Sequence, residues 1–106
     1  MKTIKIKELN IEVEAEIHDN GKSLPDIKIP KGWRLLTMNE IRYCHSNYRE
    51  RLALNHTWEF IEQPFDSLKG SKTAWFYAGS FGIDFVCFWN PLVSVASLGV
   101  RFCRKL

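Results

Sequence analysis

From Ala74 to Val100 the chain carries one charged residue, Asp84, whereas the 73 residues before it carry 23. The same stretch is dense in aromatics: Trp75, Phe76, Tyr77, Phe81, Phe85, Phe88 and Trp89. Such a segment must either line the core or form an apolar surface built to touch something. In a chain of 106 residues it is too long to be all core. The expectation is therefore a binding protein rather than an enzyme.

The length fits a single domain spanning residues 1–106. Net charge is +3, and much of the lysine lies before residue 32, interleaved with glutamate. No run of Lys and Arg makes a nucleic-acid footprint, so no nucleic-acid partner is expected. The three cysteines, Cys44, Cys87 and Cys103, form neither a CxxC pair nor a Cys/His metal spacing. They read as reduced structural thiols. The N-terminus, MKTIKIKELN, lacks the apolar core of a signal peptide, and no apolar run reaches the ~18 residues of a membrane span. A soluble product, cytoplasmic as synthesised and without membrane insertion, is expected.

Hydrophobic periodicity sets out the elements. Thr3 to Lys7 alternates with Ile4 and Ile6 on one face. Ile11, Val13, Ala15 and Ile17 alternate again, with Glu12, Glu14 and Glu16 opposite. Residues 18–30 read as a loop, with Asp19-Asn20-Gly21 as its turn and Pro25 and Pro30 as breakers. Thr37 with Glu40 three residues later is a capping box, which starts a helix predicted to run from Met38 to about Leu52. Its apolar face is Ile41, Cys44, Tyr48 and Leu52, and His45 beside it reads as a half-buried structural histidine. Strands are predicted at Trp58–Ile61, Thr73–Ala78, Ile83–Phe88 and Leu98–Arg104, with a polar loop at residues 66–72.

Chemistry of a catalytic kind finds little support. After Asp66 the only carboxylate is Asp84, and no histidine follows His56. Cys44 and His45 are adjacent helix positions and point in different directions. No GxGxxG, P-loop or GxSxG is present. Gln63-Pro64 and Trp89-Asn90-Pro91 are similar to the QPD and WND motifs of calcium-dependent lectins. Phe65 and Pro91, however, stand where the carboxylate ligands should be, so neither metal nor cofactor is expected.

Function is expected in the segment 80–97. Along it, Val86 and Phe88 alternate with Phe85 and Cys87, and Val93, Val95 and Ser97 alternate with Ser94, Ala96 and Leu98. A strand pair buried on both faces would explain this pattern. A small mixed domain rarely hides both faces, though, and Cys87, Ser94 and Ala96 look like the packed side. Phe88, Trp89, Val93 and Val95 would then form an exposed apolar patch of the kind that marks interaction sites.

Three fragments carry a resemblance: Gly32-Trp33-Arg34-Leu35 before the capped helix, Ala74-Trp75-Phe76, and the closing Leu98-Gly99-Val100-Arg101. Together they resemble C-type lectin-like domains. Within these the chain is similar to formylglycine-generating-enzyme-like domains and, more closely, to the variable proteins of diversity-generating retroelements. Residues 85–101 look like that family's variable region, in which constant Cys, Pro, small residues and a final Gly-x-Arg alternate with positions randomised at adenine. The short length suggests the minimal variable proteins of archaea and their viruses. The genetic code agrees with this. Randomising both adenines of an Asn codon never yields Lys, Glu, Gln, Met or Trp, and 18 of the 19 residues from Gly79 to Ser97 avoid these types, Trp89 excepted. In Met1–Thr73, 21 of 73 residues are of these types.

The resemblance implies an α+β fold, a compact C-type lectin-like domain, whose N-terminal strand pairs with Leu98–Arg104. It places Val86, Phe88, Trp89, Asn90, Val93, Val95 and Ser97 on variable, displayed positions, with Phe81 and Ile83 as upstream additions. Cys87, Pro91, Ser94, Gly99 and Arg101 fall on scaffold positions. The implied function is non-enzymatic binding of varied ligands, with a protein partner such as a host or cell-surface receptor. Two alternatives stay open: a module that associates with itself through the same patch, and an enzyme of the formylglycine-generating type. Whether the protein is free, cell-borne or carried on a virion is left open, as is its oligomeric state.

Overall fold

The computed structural model describes residues 2–54, 56–62, 73–79, 82–88 and 96–106, with only the backbone at 73, 87 and 88. The elements are β1 (Thr3–Ile6), β2 (Ile11–Glu14), β3 (Arg34–Leu35), α1 (Met38–Asn47), β4 (Thr57–Ile61), β5 (Thr73–Gly79), β6 (Gly82–Phe88), β7 (Leu98–Gly99) and β8 (Phe102–Lys105). The strands form two four-stranded sheets, β1-β2-β8-β3 and β6-β5-β4-β7. With one α-helix among the described residues, this is a compact α+β architecture.

In the first sheet, β1 and β2 pair antiparallel with Ile4 opposite Val13 and Ile6 opposite Ile11. The turn between them is a 3₁₀ segment, Lys7–Leu9, closed by Asn10 in the left-handed region at φ 56°. Asparagine tolerates that conformation better than most residues. The four isoleucine and valine side chains face inward and are buried. β8 lies between β2 and β3, with Val13 opposite Cys103 and Cys103 opposite Arg34. The partner of the last strand is therefore β2 rather than the first strand, which corrects one expectation.

A second correction concerns Leu98–Arg104, which is not one strand. Leu98 and Gly99 pair in parallel with Trp58 and Glu59 of β4 in the second sheet. Val100 bridges His18, Arg101 turns inward, and Phe102–Lys105 continues in the first sheet. Eight residues thus stitch the two sheets together.

The capping box starts α1 as expected. The Glu40 amide donates to Thr37 Oγ1 at 3.2 Å, and the Thr37 amide donates to Glu40 Oε1 at 2.9 Å. The helix ends at Asn47 rather than near Leu52, and irregular turns follow, with Ala53 at φ 50°. Leu52 is buried nevertheless. Ile41 and Cys44 join the larger of two cores, together with Ile4, Ile6, Val13, Leu36, Ile61 and Phe76. His45 sits half-buried with its ring edge on Phe76, at 6.2 Å between centroids.

The smaller core lies on the opposite face of the second sheet. Phe60, Trp75, Leu98, Val100 and Phe102 form it, with Ile27 and Leu35. Leu24, from the loop after His18, and Trp33 pack against it. The Arg104 guanidinium lies 4.5 Å from the centre of the Trp33 ring. β4 and β5 are therefore buried on both faces, with Phe60 and Trp75 on one side and Ile61 and Phe76 on the other. The expectation that so small a domain leaves one face open fails for these two strands, because residues 18–33 supply a cover.

Candidate functional site

The candidate segment starts in the β5–β6 hairpin and ends at β7. Across the hairpin, Tyr77 faces Asp84, Trp75 faces Val86 and Gly79 faces Gly82. Opposite residues share a face of the sheet. Val86 and Asp84 therefore lie on the side of Trp75 and Tyr77, and Ile83 and Phe85 lie on the other. Ile83 and Phe85 pack against the larger core, and Arg42 of α1 places its guanidinium 4.9 Å from the Phe85 ring centre. Ile83 and Val86 are both half-buried, but they do not share one surface.

Of the other candidate positions, Ser97 is exposed, and its carbonyl accepts a hydrogen bond from Asn20 Nδ2 at 3.2 Å. Phe88 ends β6, and its side chain lies outside the described residues. Phe81, Trp89, Asn90, Val93 and Val95 also lie outside them, as do Pro91 and Ser94 among the scaffold positions and the loop at 66–72. Ala96, expected on the packed side, is exposed.

Sequence reasoning missed the aromatic row beside Val86. The rings of Trp58 and Tyr77 stack at 4.2 Å, and Trp75 meets Trp58 edge-on at 5.9 Å. Trp58 and Tyr77 are half-buried, and Asp84 at the end of the row is exposed. The available signal was Asp84 itself, the lone charge of an apolar stretch.

The two closing scaffold positions hold the end of the segment in place. Gly99 is buried because the segment 17–20 lies directly on it. A Cβ there would come within 2.5 Å of the His18 carbonyl oxygen and 2.6 Å of Ile17 Cγ2. This close approach allows His18 and Val100 to exchange backbone hydrogen bonds at 2.8 and 2.9 Å, and lets the Gly21 amide donate to the Leu98 carbonyl at 3.0 Å. Gly21 itself has φ +87°, a conformation that favours glycine.

Arg101, 1% exposed, is the second anchor. Its Nε donates to Glu59 Oε1 at 3.1 Å, and one terminal nitrogen donates to the Leu52 carbonyl at 2.9 Å. The other terminal nitrogen reaches the carbonyls of Glu14 and Ala15, each at 3.4 Å. One side chain thus links β2, the turns after α1, β4 and the approach to β8. Burial pushes the Glu59 carboxyl upward, and Arg101 opposes that shift.

Glu14 was expected to face solvent but is buried. Its Oε1 accepts from the Phe102 amide at 2.7 Å and lies 2.7 Å from His18 Nε2. His18 Nδ1 lies 2.9 Å from Asp19 Oδ2. The two described thiols, Cys44 and Cys103, are buried in the larger core, and burial pushes both up to about 12. A thiol with that value stays protonated at neutral pH and is a poor nucleophile. Among the described residues no three His, Cys, Asp or Glu side chains gather as a metal site requires. No helix among them is long and apolar enough to cross a membrane.

Compared with known proteins, the chain matches no family model, no curated protein and no solved structure.

Proposed function

We propose that this chain is a non-enzymatic binding protein with a C-type lectin-like fold, and that residues 79–97 form its ligand-binding segment, diversified by a retroelement. The observation that carries the reading is the contrast at the segment's C-terminal end. Gly99 and Arg101, the closing Gly-x-Arg, are held inside: a Cβ at Gly99 would collide with the His18 carbonyl, and buried Arg101 donates to Glu59. Two residues upstream of Gly99, Ser97 is exposed. A scaffold that tolerates changing side chains needs such a boundary, with its fixed residues inside and its variable residues outside. The compact α+β arrangement of two four-stranded sheets and one α-helix is compatible with the fold assignment.

Binding in this reading is burial of aliphatic and aromatic surface at about 25 cal/mol per Å² before the costs of association. The partner is a protein surface. The test is a triple substitution, Phe88→Ser with Val93→Ser and Val95→Ser. A melting temperature that moves by less than about 5 °C is expected of surface positions. Loss of folding would make these side chains core and end the display reading.

Self-association is the second reading, and one observation favours it. Among the described residues β6 is the outermost strand of its sheet, and an apolar outer strand is a template for pairing with another copy. Sedimentation separates the two readings: a stable oligomer that falls apart on Phe88→Ser supports self-association, and a monomer supports display.

A further inference from the structure

We propose that His18, Glu14 and Asp19 form a proton-operated clasp that fastens the turn 18–22 onto Leu98–Val100 and so sets the C-terminal root of the candidate binding segment. The clasp stands on the contacts of the His18 ring, and its bearing on binding rests on the function proposed above.

The two ring nitrogens of His18 face carboxylates on opposite sides, Glu14 Oε1 at 2.7 Å and Asp19 Oδ2 at 2.9 Å. An ionised carboxylate only accepts hydrogen bonds. Glu14 Oε1 is already an acceptor for the Phe102 amide, and Asp19 Oδ1 accepts from Lys22 Nζ at 2.9 Å. Both ring nitrogens must therefore donate, and only the imidazolium has two protons to give. The neutral ring holds one jaw and releases the other.

The remaining neighbours are consistent with this geometry. The edge of the His18 ring packs against Phe102, with centroids 5.1 Å apart. Lys2 and Glu16 complete a cleft of about 190 Å³ with Glu14 and His18, which gives the proton a path to solvent. Burial draws the imidazole toward its neutral form, but the hydrogen bonds to Glu14 and Asp19 outweigh burial and raise its pKa above the ordinary value. The sign follows. The clasp is fully closed below pH ~6.5 and opens as pH rises through the raised value in the folded protein. What it fastens is specific: the His18–Val100 backbone pair, the Gly21 amide on the Leu98 carbonyl, and the Asn20 side chain on the Ser97 carbonyl.

The experiment is amide hydrogen exchange by NMR on the full chain, corrected for intrinsic rates, at pH 5.5 and pH 8. The Gly21 and Val100 amides should lose protection by at least about fivefold at the higher pH, the scale of one charge-assisted hydrogen bond. Val13 in β2 should not change. His18→Gln should show the weaker protection at both pH values. Asp19→Asn removes the half-buried jaw while leaving the core intact, and its step should be smaller and centred at lower pH. Equal protection at the two pH values in the natural chain would overturn the clasp, and so would a step that persists unchanged in both variants. No ligand enters the measurement, so its failure leaves the display reading standing, and failure of the display reading leaves the clasp standing.

Discussion

Arg101 and Glu59 meet inside the protein, Nε to Oε1 at 3.1 Å, with 1% and 0% of their side chains exposed. Two charges so deeply buried do little for stability as a pair, because desolvation offsets most of their attraction. Breaking the pair leaves one charge stranded. Glu59 Oε2 already has no hydrogen-bond partner among the described residues, so loss of Arg101 would strand the whole carboxylate. Arg101→Met is therefore expected to cost about 3–5 kcal/mol. The double variant Arg101→Met with Glu59→Leu should lose clearly less than the sum of the two single variants. Urea unfolding of all four proteins forms the double-mutant cycle that checks this.

Gly99 makes a second prediction with a built-in control. Gly99→Ala forces a methyl group into the His18 carbonyl and the Ile17 side chain, and should destabilise by about 1–3 kcal/mol. Gly32→Ala meets no atom within 4 Å, but its φ of +85° strains an alanine, at about 1 kcal/mol. Only the first variant should also weaken amide protection at Gly21 and Val100. Thermal melts with exchange measurements distinguish the two.

The start of α1 yields a pH dependence. Arg34 grips Glu40 with two hydrogen bonds, at 2.7 and 2.8 Å, while Glu40 closes the capping box. Burial alone would raise the Glu40 carboxyl, but Arg34 and the Thr37 amide overcome it and hold the value below the usual 4.5. A carboxylate with a depressed pKa adds stability above its ordinary value and loses it as pH falls through the folded value. Glu40→Gln should cost about 1 kcal/mol at neutral pH, the scale of a helix cap. The gap between variant and natural protein should shrink toward zero below that window. Denaturant midpoints from pH 7 down to pH 3 test this.

These elements differ in how legible they were from sequence. The capping box was visible because it is local: two residues three apart satisfy each other's amides whatever surrounds them. The alternation of Ile4, Ile6, Ile11 and Val13 likewise located β1 and β2. The division of Leu98–Arg104 between two sheets could not be read, since it depends on which strands lie alongside rather than on its own pattern. The burial of Glu14 was hidden for a similar reason. A glutamate opposite an apolar stripe reads as solvent-facing, and only the ring of His18 together with the Phe102 amide, remote in sequence, makes its burial tolerable. At the candidate site, alternation correctly separated Val86 from Phe85, but grouping Ile83 with Val86 ignored the same period.

The central claim is that residues 79–97 are a diversified binding segment, and it is tested most directly in the DNA. Sequencing downstream of this gene should reveal a near-copy of the region encoding residues 79–101, differing only where the copy has adenine, beside a gene for a reverse transcriptase. Absence of any such copy would contradict the account and return the apolar segment to core or to an interface between copies of the chain.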